Sequence, residues 1–324
     1  MKLLEVKNLN VSFMVEDEKV HVLNDVSLDI SENEVLAVIG ETGCGKSVTG
    51  SSILRILPEN ANISGEIYYN GENILEMPEE KYRLMRGKEI ASVPQSPSTS
   101  LDPLMKVGDQ VAECITVGNR INGKEKATLK GVVNGIFSKL KLPRENEMYD
   151  NYPCELSGGM RQRVNIALAL MNDPQIIIAD EPTTALDSTL QAQVLDLFKS
   201  INEKTGVSIV IISHDLGVIR KYCHRIAVMY AGQILEYAPA DEIFENARHP
   251  YTKALIRVIP SLNIKKDERL MEIPGFVPEK NRERKECIFK KRCSEADERC
   301  NGDVKEGTEG LHYCKCSKYC GGEV

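Results

Sequence analysis

Three short runs in the chain hold the residue types that phosphoryl chemistry needs. Gly40-Glu41-Thr42-Gly43-Cys44-Gly45-Lys46-Ser47 fits the phosphate-loop pattern. Glycines let successive backbone N–H groups turn inward around phosphate oxygens, and a helix starting at Lys46 adds positive potential. Lys46 would reach the β- and γ-phosphates, and the Ser47 hydroxyl would ligate Mg2+. The run Ile176-Ile177-Ile178-Ala179-Asp180-Glu181 ends in two carboxylates. Asp180 is placed to hold Mg2+, directly or through water, and Glu181 to polarise the water that attacks the γ-phosphate. Phosphoryl transfer asks for positioning and charge neutralisation more than covalent chemistry, so one acid for metal and one for water suffice. In Leu156-Ser157-Gly158-Gly159-Met160, Ser157 reads as the cap of a helix continuing through Leu170. Its two glycines expose backbone N–H groups at the helix start, which makes a second anion site. Each run alone could be ordinary structure: a glycine turn, a charged strand end, a helix cap. Two phosphate sites far apart in one chain suggest a composite pocket.

The elements that must position these groups follow from periodicity. Leu4, Val6, Leu9, Val11 and Phe13 alternate as a strand, and Val26, Leu28 and Ile30 repeat the pattern after the charged turn Glu16-Asp17-Glu18-Lys19. Residues 34 to 39 form a short apolar strand into the glycine turn, and residues 46 to 57 a helix stopped by Pro58. Asn70-Gly71 after Ile67-Tyr68-Tyr69 signals a hairpin. Residues 97 to 170 read as mostly helical. Ile176-Ile177-Ile178-Ala179 and Ser208-Ile209-Val210-Ile211-Ile212 are buried-strand candidates, and strands separated by helices imply a parallel α/β core. From Pro260 charge rises, Pro274, Gly275 and Pro278 break the pattern, and cysteines cluster. The net charge of −7 argues against a nucleic-acid partner. No apolar stretch approaches the ~20 residues that span a bilayer, and Met1-Lys2-Leu3-Leu4-Glu5-Val6 becomes charged too early for a signal peptide. The expectation is a cytosolic chain that meets a membrane only through partners.

With Arg161-Gln162-Arg163 after it, the Ser157 run resembles the signature of ABC ATPases, and the resemblance covers residues 1 to about 255. It implies a RecA-like P-loop core with an antiparallel β-subdomain and a helical subdomain at about 97–170. The ATPase domain would span 1–258, with a small Cys-rich extension at 259–324. It also implies ATP and Mg2+ as ligands, with Mg2+ held through Ser47, Gln95 and Asp180. Gln95, in Ala91-Ser92-Val93-Pro94-Gln95-Ser96-Pro97, matches the Q-loop glutamine. Asp187, in Ala185-Leu186-Asp187, matches the D-loop, and His214, in Ile212-Ser213-His214-Asp215, the switch histidine. Glu181, His214, Gln95 and Lys46 are thereby the catalytic candidates. The ATP contacts implied are Gly40, Glu41, Thr42, Gly43, Cys44, Gly45, Lys46, Ser47 and Val48. Phe13 either stacks on adenine or packs in the core. Ser157, Gly158, Gly159 and Met160 would meet the ATP of a facing subunit.

Tyr152-Pro153-Cys154-Glu155, His249-Pro250-Tyr251-Thr252-Lys253-Ala254-Leu255 and Ile273-Pro274-Gly275 resemble the ATPase subunits of bacterial dipeptide, oligopeptide and related nickel importers. That family implies a second, paralogous ATPase, two transmembrane permeases, an extracytoplasmic peptide-binding protein and a place on the cytoplasmic face of the membrane. Cys287-x5-Cys293-x6-Cys300-x13-Cys314 resembles its cysteine pattern. Thiolate-only ligation suits a [4Fe–4S] cluster. Zinc is the rival, although C-x2-C pairs are absent, and unligated thiols are the third reading. Cys316 and Cys320 leave the fourth ligand open. Other functions in view are nickel import, a non-transport ABC ATPase, and an iron–sulfur tail that regulates the ATPase.

Overall fold

The computed structural model describes residues 1–97, 99–116, 123–143, 145–184, 186–259, 272–278 and 286–319. Two sequence expectations, Ala185 in the D-loop and Cys320, lie outside the described residues, as do residues 260–271 at the expected boundary. The chain divides into two compact units, Met1–Glu76 with Ile212–Val324, and Met77–Ile211.

The first unit opens with β1 (Lys2–Val15) and β2 (Glu18–Ser31), a long antiparallel pair turning at Glu16 and Asp17, both with left-handed backbone. β3 (Val35–Ile39) is buried at all five residues and leads through the glycine turn into α1 (Lys46–Ile53). The helix is shorter than the sequence suggested, because Arg55 turns left-handed (φ 50°) before Pro58 is reached. β4 (Ala61–Tyr69) and β5 (Glu72–Asn73) form the expected hairpin. Asn70 (φ 50°) and Gly71 (φ 82°) both take the positive φ that a two-residue turn of this hand requires. These strands complete a four-stranded sheet in the order β2-β1-β4-β5.

The second unit holds α2 (Glu79–Met85), β6 (Ile90–Val93), α3 (Val107–Thr116), α4 (Gly123–Lys139), α5 (Glu145–Met148), α6 (Gly158–Leu170), β7 (Ile176–Asp180) and α7 (Ser188–Thr205). β6 and β7 pair in parallel from Ile90↔Ile176 to Val93↔Ala179. β8 (Ser208–Ser213), wholly buried, carries the chain back to the first unit. There α8 (Leu216–Ile219), β9 (Arg225–Tyr230), β10 (Gln233–Pro239), α9 (Ala240–Glu245) and α10 (Pro250–Val258) follow. β9 pairs in parallel with β3, and β10 antiparallel with β9.

The tail extends this sheet. β11 (Glu306–Glu309) and β12 (His312–Lys315) form a hairpin, and β12 pairs with β10 at Glu236↔Cys314 and Tyr237↔Tyr313. Glu236 is fully buried, with its carboxylate accepting from the amides of Arg248 (2.6 Å) and His249 (3.1 Å) and facing His312 Nε2 at 2.6 Å. Phe289 packs against Tyr230, Tyr251 and His249, with ring centroids 5.2 to 5.9 Å away.

His249 caps α10 by accepting from the Tyr251 amide at Nδ1 (3.0 Å). Burial, with the Lys253 charge second, pushes its imidazole from 6.5 down to about 3. A folded value below the unfolded one means that the unfolded chain takes the proton first as pH falls. The neutral ring therefore stabilises the fold fully above about pH 6.5, and that contribution is lost between 6.5 and 3. The slope is at most about 1.4 kcal/mol per pH unit. We expect the urea midpoint to fall between pH 6.5 and 5 in the wild type, and more shallowly in His249→Asn, which keeps a capping acceptor. Equal slopes would contradict this.

Candidate functional site

The phosphate loop is shaped by backbone crowding. β3 sits beside β9 with Ile39 opposite Val228, so Gly40 lies against Met229. A Cβ on Gly40 would stand 2.1 Å from the Met229 carbonyl oxygen, which leaves room for glycine alone. Gly45, the N-cap of α1, has φ 107°, and a Cβ there would meet Leu23 Cδ2 at 2.6 Å. The Gly232 amide donates to the Cys44 carbonyl at 2.7 Å and closes the turn from outside. Inside it, Lys46 is buried, and its ammonium donates to the carbonyls of Gly40 (2.8 Å) and Glu41 (3.1 Å). Ser47 is exposed and Val48 half-buried on the first turn of α1; Thr42 and Gly43 are exposed at the tip. A cationic head ringed by backbone groups, next to a helix start, is an arrangement that receives phosphate. Glu41 is held at three points: its amide donates to Tyr251 Oη (3.1 Å), its carbonyl takes Lys46, and its carboxylate takes Arg292 (2.6 and 2.9 Å). His214 is exposed just beyond β8. Phe13 is half-buried in β1, opposite Val20 and Ala61.

In the second unit the parallel pairing of β6 and β7 brings two strand ends together. Asp180 closes β7 and Glu181 follows, while Gln95 stands two residues beyond β6. Gln95 Nε2 donates to Glu181 Oε2 at 3.0 Å, and Thr184 Oγ1 donates to the same oxygen at 2.7 Å. Glu181 has φ 43°, a left-handed backbone that costs a non-glycine residue ~1–3 kcal/mol. The turn closes with the Thr184 amide on the Glu181 carbonyl (3.1 Å). Thr184 escaped the sequence reading. Its signal was a hydroxyl three residues past a strand-end acid, the reach of a single turn.

The helix cap expected in the serine run is present. Ser157 is the N-cap of α6, exposed, and its Oγ accepts from the Met160 amide at 3.3 Å. Gly158 is half-buried and Gly159 buried, where a Cβ would press on Leu190 at 3.2 Å. Asp187 caps α7, accepting from the amides of Thr189 and Leu190, both at 3.0 Å.

In the tail, the Cys287 thiol is pushed up to about 11, first by burial and then by the nearby thiols of Cys300, Cys316 and Cys293. Cys293 is raised by burial and by Cys300 and Cys316. The thiols whose charges reach Cys287 are thus those of Cys293, Cys300 and Cys316. Cys314, the expected fourth member, lies in β12 with its backbone in register with Glu236 and Gly307. Cys316 lies just past the end of β12. Among the described residues, no group of three or more His, Cys, Asp or Glu side chains could hold a metal ion, and no helix is long and apolar enough to cross a membrane.

A phosphate loop on a parallel strand, a strand-end acid pair with its glutamine, and a serine-capped helix headed by glycines define an ATP-binding cassette. The comparisons agree. Residues 23–184 match the family described as ABC transporter, and residues 235–300 match oligopeptide/dipeptide transporter, C-terminal region. The "Dipeptide transport ATP-binding protein DppD" of Lactococcus lactis subsp. cremoris (strain MG1363) is 43% identical over 279 residues, 86% of this chain and 79% of that protein. The "Oligopeptide transport ATP-binding protein OppD" of Bacillus subtilis (strain 168) is 43% identical over 280 residues, 86% of this chain and 77% of that one. Among solved structures, the dimeric ATP-binding cassette MJ0796 bound to ADP and Pi superimposes with a TM-score of 0.64 at 28% identity, over 73% of this chain and 98% of that one. The chain belongs to the ABC transporter ATP-binding family, and it carries the C-terminal region of the oligopeptide/dipeptide branch.

Proposed function

We propose that this chain is the ATP-hydrolysing subunit of a peptide importer, working on the cytoplasmic face of the membrane with two permeases, a second ATPase and an extracytoplasmic binding protein. One observation carries the reading: a single chain joins an ABC transporter ATP-binding region to the C-terminal region of peptide transporters. Relatives named for dipeptide and oligopeptide transport over most of their length support it. Reconstituted with partner permeases of a peptide importer, the chain should hydrolyse ATP faster when a peptide-loaded binding protein is added. A rate indifferent to permease and peptide would defeat the proposal.

In the proposed cycle Lys46 and the loop amides would neutralise phosphate charge, and Ser47, Asp180 and Gln95 would be the residues to hold Mg2+, which would supply further charge neutralisation. Glu181 polarises the attacking water and His214 contacts the γ-phosphate. The Ser157–Met160 helix start of one subunit closes on the ATP of its mate, so ATP binding joins the subunits and hydrolysis releases them. The dimeric cassette with ADP and Pi supports that arrangement by analogy. Glu181→Gln should bind ATP yet hydrolyse it at least about a hundredfold more slowly. Thr184→Val, which removes one charged hydrogen bond to Glu181, should slow turnover roughly tenfold with ATP affinity kept. Lys46→Ala should lose ATP binding or turnover. Each is read by ATPase assay and nucleotide titration, and a normal rate in Glu181→Gln would remove its role.

For the tail we propose Cys287, Cys293, Cys300 and Cys316 as the ligands of a [4Fe–4S] cluster. In residues 286–319 the buried side chains beyond Phe289 are Cys300, Cys314, Cys316, His312 and Ser317, a segment with little hydrocarbon core. Such segments rely on staples. Cys287 and Cys293, whose thiols burial and neighbouring thiols push up, would also gain from a cation that takes them as thiolates. The cluster would supply cross-linking, and the chain's part is to bring the four thiols to one place. Anaerobic analysis should find about four irons and matching sulfide per chain. Cys316→Ser should lose them and Cys314→Ser should keep them. One zinc without sulfide would overturn the assignment.

A further inference from the structure

Arg292 stands between Phe289 and Cys293 in the tail, and all five of its N–H donors are engaged. Nη1 donates to Glu41 Oε2 at 2.6 Å and reaches Tyr230 Oη at 3.4 Å; Nη2 donates to Glu41 Oε1 at 2.9 Å and to the Ile273 carbonyl at 3.1 Å; Nε donates to the Pro274 carbonyl at 2.7 Å. Its side chain is 6% exposed and that of Glu41 29%. The guanidinium lies 5.7 Å from the Tyr230 ring centre, and Gly275 (φ 79°) turns the 273–275 segment over its aliphatic stem. A two-pronged, enclosed pair of this kind is unlike an exposed ion pair held by one contact.

The carboxylate that it grips belongs to the second residue of the phosphate loop. A negative charge there repels a polyphosphate and, unheld, could swing into the loop to compete for Lys46. We infer that Arg292 is a positioning residue for ATP binding: the tail's guanidinium cancels the Glu41 charge and fixes its side chain, so that the loop presents only donors and Lys46 to the phosphates. The tail thereby enters the ATP site through one ion pair. The inference rests on the 40–47 loop being the phosphate site.

The test uses the full-length chain in its assembled transporter and separates charge from architecture. Arg292→Gln leaves Glu41 charged and ungripped, and should raise the KM for ATP roughly tenfold or more while kcat at saturating ATP stays within about twofold. Adding Glu41→Gln to Arg292→Gln removes the exposed charge and should restore KM to within about threefold of wild type. A purely architectural contact would not be rescued by deleting its second half. Arg292→Lys, which keeps the charge but loses the fork, should fall between wild type and Arg292→Gln. An unchanged KM in Arg292→Gln, or a double variant as weak as the single one, would overturn the inference. If Arg292→Gln does not fold, the Glu41→Gln/Arg292→Met pair replaces it, with near-normal KM expected and a tenfold rise decisive against. Lys46→Ala serves as the control for the underlying reading. Unchanged ATP binding there would fault the loop assignment itself, whereas a Lys46→Ala defect beside a normal Arg292→Gln would fault only the role of Arg292.

Discussion

No side chain fits between Gly40 and the carbonyl of Met229, and the nucleotide chemistry proposed for this chain depends on that contact. The parallel ladder of β3 and β9 brings the two backbones together, and the loop can leave the sheet only where a residue without Cβ lets it pass. From there Gly43 and Gly45 take left-handed backbone, Gly232 seals the outside, and Lys46 fills the ring. The loop owes its shape to main-chain packing, so its amides are already oriented before any phosphate arrives. Such preorganisation is what electrostatic catalysis requires, because donors that need not move incur no reorganisation cost.

The second unit applies the same device to carboxylates. Parallel pairing of β6 with β7 sets the carboxyl ends of two strands side by side, and what the chain places there is an acid pair and a glutamine. Glu181 is then held in an unfavourable backbone conformation by hydrogen bonds from Gln95 and Thr184 to one carboxylate oxygen. A strained residue persists only when its surroundings over-determine it. Here the surroundings fix one carboxylate oxygen at two points.

Much of this was legible in the sequence because it rests on local rules. The glycine spacing around Lys46, the Asn70-Gly71 turn, the apolar runs at 176–179 and 208–212, and the Ser157 cap each declare themselves within a few residues. What escaped depends on sequence separation. Arg292 and Glu41 are 251 residues apart, and nothing in either segment announces the other. Cys314 and Cys316 differ by two positions and look interchangeable in a list of cysteines. Their difference in the fold is that β12 ends at Lys315, so the backbone of Cys314 lies in the ladder and Cys316 lies beyond it. The helix at 46 was read four residues too long because Pro58 was the visible stop, whereas the chain turns earlier, at Arg55.

The tail's fold also bears on why an ATPase would carry it. Alone it has little to bury, yet it is anchored to the first unit at three kinds of contact. β12 extends the sheet beyond β10, Phe289 enters an aromatic cluster with Tyr230 and Tyr251, and His312 meets the buried Glu236. β12 also covers what would otherwise be a bare strand edge, and the new edge, β11, is four residues long with Glu306 and Glu309 on it, a form that discourages pairing with other chains. Two of the anchored residues lead straight to the phosphate loop, because Tyr251 accepts from the Glu41 amide and the residue three after Phe289 grips the Glu41 carboxylate. A segment so attached cannot shift without moving Glu41. The tail is therefore mechanically part of the phosphate-loop unit.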